Sequence, residues 1–167
     1  MAFTIGIPRE TRDDETRVSL VPDVAERLQQ LQDGLEVVVE SGAGADAYHA
    51  DADYEAADCT VVDRDEALGA DVVTKVAAPT DEELTAFSDG QVLIGLLDPL
   101  NRPEAAGTLA ERGVTALAME LVPRISRAQK MDALSAMSSI GGYRAAVVAA
   151  ERLPRFFPLL TTAAGTV

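Results

Sequence analysis

In residues 120–135, Glu-Leu-Val-Pro-Arg-Ile-Ser-Arg-Ala-Gln-Lys-Met-Asp-Ala-Leu-Ser, hydrogen-bonding side chains recur at intervals of three. Gln129, Asp132 and Ser135 at this spacing share one helix face and present an amide, a carboxylate and a hydroxyl together. Arg124 and Arg127 stand just upstream. The set suits a neutral, hydrogen-bonding amide such as nicotinamide, with arginine nearby to meet a phosphate or orient the acid. A plainer alternative is a capped, solvated helix start in which Ser126 and Asp132 serve as caps. Downstream, Ser138-Ser-Ile-Gly-Gly142 keeps one side of the helix small, as close packing of backbones requires.

Two cations elsewhere invite a different chemistry. Arg17, in Glu15-Thr-Arg-Val-Ser-Leu, either clamps a carboxylate or phosphate with its two-pronged guanidinium or pairs with Glu10 or Glu15. Lys75, in Val-Val-Thr-Lys-Val, is the only lysine before residue 130 and lies in an apolar strand. Buried there it needs an anion, and the alternative is an edge-strand lysine whose stem reaches solvent. Gly42-Ala-Gly44 has the start of a phosphate loop but lacks a third glycine, and reads as a tight turn. His49, Asp51 and Asp53 alternate as metal ligands would, yet acidic loops of this kind are commonly solvated turns, and no metal is expected.

These residues need a scaffold that brings loops together. Apolar runs at 3–7, 35–40, 59–62, 71–76, 91–97 and 114–119 read as strands. Amphipathic stretches at 22–32, 64–68, 81–87 and 103–112 read as helices, and a long helix is expected over about 132–152. Strands alternating with helices predict an α/β domain with a parallel sheet, which binds ligands at the carboxyl ends of its strands. The candidate loops are therefore 8–17, 41–47, 75–80, 98–102 and 120–129. The expected division is an α/β domain at 1–125 followed by an interdomain helical segment at 126–167.

Composition narrows the function classes. The 167 residues are 47% apolar, enough for a core, and the longest strongly apolar stretches, 92–97 and 145–150, are far short of a membrane span. Neither a bilayer crossing nor a secretory signal is expected, and the single Cys59 permits no internal disulfide. A net charge of −14 argues against nucleic acid. The charge is uneven: residues 1–120 hold 26 acids and 8 bases, whereas 121–167 hold 2 acids and 6 bases. An acidic, lysine-poor surface is expected of a salt-adapted proteome and also occurs in ordinary cytoplasm.

The segments Gly6-Ile-Pro-Arg-Glu10, Glu15-Thr-Arg-Val-Ser-Leu20, Val39-Glu-Ser-Gly-Ala-Gly44 and Asp71-Val-Val-Thr-Lys-Val76 resemble the amino-terminal domain shared by alanine dehydrogenases and the NAD(P) transhydrogenase alpha subunit. The run 118–135, Gly142-Tyr-Arg-Ala145 and Thr162-Ala-Ala-Gly-Thr-Val167 resemble the proton-translocating transhydrogenase branch. The resemblance implies a Rossmann/flavodoxin-like domain with a long connecting helix. In the transhydrogenase branch, it implies that Arg124, Gln129, Asp132 and Ser135 surround the NAD(H) nicotinamide, with Gln129 reaching toward NADP(H) on a partner component. Gln129 and Asp132 are then the expected catalytic positions. In the alanine dehydrogenase branch, Arg17 and Lys75 match the residues that bind an oxo acid. A histidine expected there after the fifth strand is replaced by about Asp98.

The resemblance further implies hydride transfer from NADH to NADP+, coupled to proton translocation by partner subunits. The expected setting is cytoplasmic, peripheral to the inner membrane face, with a homodimer and a membrane subunit carrying the NADP(H) domain. The dinucleotide-binding second domain is expected to lie outside residues 1–167, which contain no Gly-x-Gly-x-x-Gly turn. Alone, the chain is expected to be inactive and to bind NADH very weakly. An oxo-acid or amino-acid dehydrogenase, a non-catalytic assembly fragment and a split subunit are the alternatives.

Overall fold

β-branched and aliphatic runs settle side by side as one parallel sheet. Its strands are β1 (Phe3–Ile7), β2 (Leu35–Glu40), β3 (Thr60–Val62), β4 (Val72–Thr74), β5 (Val92–Gly95) and β6 (Thr115–Ala118). They lie in the order β3-β2-β1-β4-β5-β6, and every pairing is parallel. This is the doubly wound Rossmann order, in which the winding reverses between β1 and β4. In the computed structural model the described residues are 3–154 and 161–166. The chain divides into two compact units, 1–121 and 122–167, and the sheet belongs to the first.

Five helices connect the strands: α1 (Pro22–Leu31), α2 (Asp51–Ala56), α3 (Arg64–Leu68), α4 (Asp81–Ala86) and α5 (Pro103–Glu111). Pro22 and Pro103 open their helices, where a missing N–H costs nothing. The Asp63 carboxylate caps α3 by accepting from Glu66 N at 2.9 Å. α2 replaces the solvated acidic turn that the sequence suggested. Tyr54 is fully buried, its hydroxyl donates to Leu20 O at 2.9 Å, and Asp53 accepts from Ala50 N at 2.7 Å. One buried aromatic thus anchors the helix while Asp53 and Glu55 stay exposed, and such a side chain contributes roughly 1.5–3 kcal/mol on burial.

Alternation along the strands divides the core between two faces. Ile7, Val37 and Val39 pack with Ala25, Tyr54, Ala57 and Cys59 of the α1–α2 side. Val73 and Leu93 pack with Leu68, Leu84, Phe87 and Leu109 from α3, α4, α5 and the residue that follows α4. Gly6 is where the second layer touches the sheet. A Cβ there would stand 1.9 Å from Ala67 O, so α3 crosses β1 backbone against backbone.

The second unit begins with an irregular stretch and a 3-10 turn at Ser126–Met131, then α6 (Ala133–Arg152). A short antiparallel hairpin of β7 (Thr161–Thr162) and β8 (Gly165–Thr166) follows. α6 starts where Asp132 caps it, one residue inside the expected start at 132. Among the described residues, no helix is long and apolar enough to cross a membrane.

Candidate functional site

The carboxyl edge of the sheet holds a chain of buried charge. Lys75 follows β4, a central strand, so it is not an edge-strand lysine. Its side chain is 1% exposed, and Nζ lies 2.9 Å from Glu83 Oε1 and 3.2 Å from Glu10 Oε2. The same Glu83 oxygen accepts from Arg64 Nη2 at 2.5 Å, and Arg64 Nη1 reaches Glu40 Oε2 at 2.9 Å. The carboxylates also bind backbone. Glu10 accepts from Val76 N and Ala77 N, Glu40 from Arg9 N, and Glu83 closes a capping box with Thr80. The anion that Lys75 requires is therefore supplied from within the chain, through one residue after β1 and another on α4.

Arg17 is likewise engaged by its own neighbour. Its Nε donates to Glu15 Oε1 at 2.7 Å and Nη2 to Oε2 at 2.6 Å, a two-pronged pair. The guanidinium holds the Glu15 carboxyl below its ordinary range, and Glu15 raises Arg17 in turn. Beside these residues lies a cleft of ≈ 570 Å³ whose walls include Arg9, Arg12, Glu15, Glu40 and Arg64. Glu83 and Arg64 were not among the sequence candidates. Thr80-x-x-Glu83 is a legible capping box, and the loop after β3, which delivers Arg64, is a carboxyl-edge loop like the others.

In the second unit, Asp132 is the cap of α6. Its carboxylate accepts from Ser135 N at 3.0 Å and from Ser135 Oγ at 2.6 Å. These two bonds, the hydroxyl's first, hold the carboxyl below its ordinary range, and Arg124 adds to the effect. The expectation that Gln129, Asp132 and Ser135 share the face of one helix is corrected here. The 3-10 turn ends at Met131, and Asp132, with φ −78° and ψ 83°, breaks the helical path before α6. Asp132 and Ser135 touch, whereas Gln129 stands on the preceding turn with its side chain exposed. Arg124 is exposed ahead of that turn. Asp132 is a cap as the plainer alternative had it; Ser126 is not, because Ile125 holds the capping position of the turn.

The remaining candidates have structural occupations. Asp51 accepts from Ser41 Oγ at 2.7 Å and Gly42 N at 2.8 Å, which pins the glycine turn after β2. A Cβ on Gly44 would meet Tyr54 Cε2 at 2.7 Å, so the second glycine serves close packing. The His49 and Tyr54 rings stand nearly perpendicular with centroids 6.5 Å apart. Cys59 is buried, and desolvation pushes its thiol up to about 11, far from a thiolate nucleophile. Asp98, at φ 51°, accepts from Asn101 Nδ2 at 2.8 Å, and its own N–H donates to Glu120.

The alanine dehydrogenase/PNT N-terminal domain model matches residues 6–141. The NAD(P) transhydrogenase subunit alpha of Cereibacter sphaeroides is 46% identical over 165 residues, 98% of this chain and 31% of that protein. A crystal structure of transhydrogenase from Sinorhizobium meliloti superposes with a TM-score of 0.89 at 40% identity, over 98% of this chain and 49% of that one. An L-alanine dehydrogenase structure superposes with a TM-score of 0.69 at 33% identity, over 72% of this chain and 33% of that one. The chain thus spans about a third to a half of the relatives it matches. With the model match covering most of its length and the doubly wound sheet beneath it, the chain belongs to the alanine dehydrogenase/PNT N-terminal domain family.

Proposed function

We propose that this chain is the amino-terminal part of the NAD(H)-binding alpha component of an NAD(P) transhydrogenase. That enzyme passes hydride from NADH to NADP+, with proton translocation through membrane partner subunits. The observation that carries the reading is the extent of the likeness. Similarity to a transhydrogenase runs through 98% of the chain, including the unit at 122–167, whereas the alanine dehydrogenase structure covers 72%.

The residues of the second unit fit the nicotinamide end of NAD(H). Gln129 offers an exposed amide that both donates and accepts, and Arg124 offers an exposed cation. Asp132 fixes the Ser135 hydroxyl and the start of α6. Residues 1–167 contain no Gly-x-Gly-x-x-Gly cradle for the pyrophosphate, so in this reading a second domain or subunit supplies it. NAD(H), when bound, supplies the hydride chemistry. Direct transfer needs no acid or base from the protein, and the work of this chain is to orient one ring and exclude water around it. We place the component in the cytoplasm against the inner membrane face, held there by partners, and as a homodimer.

Arg17 and Lys75 support the second reading, an oxo-acid dehydrogenase. Against it stands the engagement of both cations by Glu15, Glu10 and Glu83, and the presence of Asp98 in place of a histidine. The test uses the full-length alpha component with its partner subunits. NADH oxidation is expected to depend on an NADP+ analogue and to be unaffected by pyruvate with ammonium. Robust pyruvate-dependent oxidation would overturn the proposal.

A further inference from the structure

Five of the eight bases in residues 1–120 gather at one cleft on the first unit. Arg9, Arg12 and Arg64 line it, from the loop after β1 and the start of α3. Arg17 and Lys75 stand directly behind, paired with its Glu15 and Glu10. Six of the 26 acids in residues 1–120 accompany them, five in the walls and Glu83 against Lys75. The rest of residues 1–120 holds three bases against 20 acids. An anion is therefore repelled by most of this unit and meets a near balance of charge in the cleft, where the field is focused.

Three of the wall carboxylates are already engaged. Glu10 accepts from Val76 N, Ala77 N and Lys75, Glu40 from Arg9 N and Arg64, and Glu15 from Arg17. Two of the guanidiniums are not. Arg12 makes no side-chain hydrogen bond or ion pair among the described residues. Arg9 Nη2 meets Asp46 Oδ2 at 3.8 Å with both side chains more than half exposed, a pair that an incoming anion displaces at small cost. The loop that carries these arginines is held at two points. Glu10 is bound to the backbone after β4, and Glu15 N donates to Arg12 O at 3.1 Å. Arg9 and Arg12 are thus presented on a braced backbone, which lowers the ordering cost of binding.

The donors exceed what one carboxylate can take. Two forked guanidiniums and the hydroxyls of Thr11 and Thr16 line the same walls. A phosphate monoester carries about −1.5 to −2 at pH 7 and three acceptor oxygens, which suits a pair of arginines. The cleft lies at the carboxyl ends of β1, β2 and β3, and its ≈ 570 Å³ leaves room beyond a phosphate for the group attached to it. We infer that Arg9 and Arg12 form a binding site for a small phosphate monoester, with Asp46 as the counter-charge that the ligand displaces. The site lies wholly in the first unit and does not depend on assigning residues 124–135 to the nicotinamide.

The test is calorimetric titration of the full-length alpha component with inorganic phosphate and with adenosine 5′-monophosphate, in saturating NADH so that the dinucleotide site is filled. Both probes are expected to bind, the monophosphate more tightly. Arg9→Gln/Arg12→Gln should weaken both by about tenfold or more, with an unchanged thermal midpoint. Asp46→Asn should strengthen both about two- to fivefold. Glu36→Gln, the same change of charge at the start of β2, should alter neither. No binding of either probe up to about 10 mM, or parent affinity in the double arginine variant, would overturn the site. So would equal strengthening by Asp46→Asn and Glu36→Gln, which is an effect of overall charge. Inorganic phosphate binding as tightly as the monophosphate would assign the cleft to the free ion and overturn the ester. A parent that fails to bind NADH would count against the functional reading, and the same titrations without NADH would still decide the phosphate site.

Discussion

Lys75 Nζ and Glu83 Oε1 lie 2.9 Å apart with both side chains almost wholly buried, and Arg64 shares the same oxygen. The pair joins the end of β4 to α4, and Glu10 and Glu40 extend it to the ends of β1 and β2. Four loops at the carboxyl edge are thus tied through three carboxylates and two cations.

Glu83→Ala takes one carboxylate from Lys75 and from Arg64, while Glu10 and Glu40 remain beside them, and should cost about 1.5–3 kcal/mol in chemical denaturation. Asp81→Ala, which breaks the pair to Arg102 at a carboxylate whose side chain is 96% exposed, should stay within about 1 kcal/mol. Equal effects would mean that the buried chain is not what holds these loops.

Gly6 gives a steric test of the α3–β1 contact. Gly6→Ala places a methyl into Ala67 O and should cost about 3 kcal/mol or more, the upper end of overpacking penalties. Gly107→Ala, inside α5 with nothing near the added carbon, should instead stabilise by about 0.5–1 kcal/mol. Denaturant midpoints of the two variants should move in opposite directions.

The Asp132 cap makes the start of α6 sensitive to acid. Its folded carboxyl is held below the unfolded value of about 3.9, so the capping contribution is present above that value. It is lost as pH falls through the lower folded value. The Ser135 amide resonance should therefore step with a midpoint under about 3.9, and the step should vanish in Asp132→Asn. A midpoint at or above the unperturbed value would show that the cap does not form in solution.

Much of the scaffold is legible from pattern. The β1 and β2 ranges and the α3 range match their apolar and amphipathic runs. Strands β4, β5 and β6 are shorter than their apolar runs because pairing ends before side-chain burial does. α2 was hidden by its aspartates, since the decisive force is long-range burial of Tyr54. The site was legible as residue types and not as geometry. An interval of three is shared by α- and 3-10 helices, so spacing alone placed Gln129 with Asp132 and concealed the break between them. Nor could spacing reveal that Lys75 meets Glu10, which lies far away in sequence.

Gln129 is the side chain proposed to position the donor and acceptor nicotinamide rings. The most direct measurement is single-turnover hydride transfer together with equilibrium NADH binding, on the reconstituted complex carrying Gln129→Asn. Shortening this exposed amide by one methylene should lower the transfer rate by on the order of 100-fold while leaving the NADH dissociation constant nearly unchanged. A transfer rate within about twofold of the parent, equivalent to only a few tenths of a kcal/mol, would contradict the assignment of residues 124–135 as the nicotinamide wall.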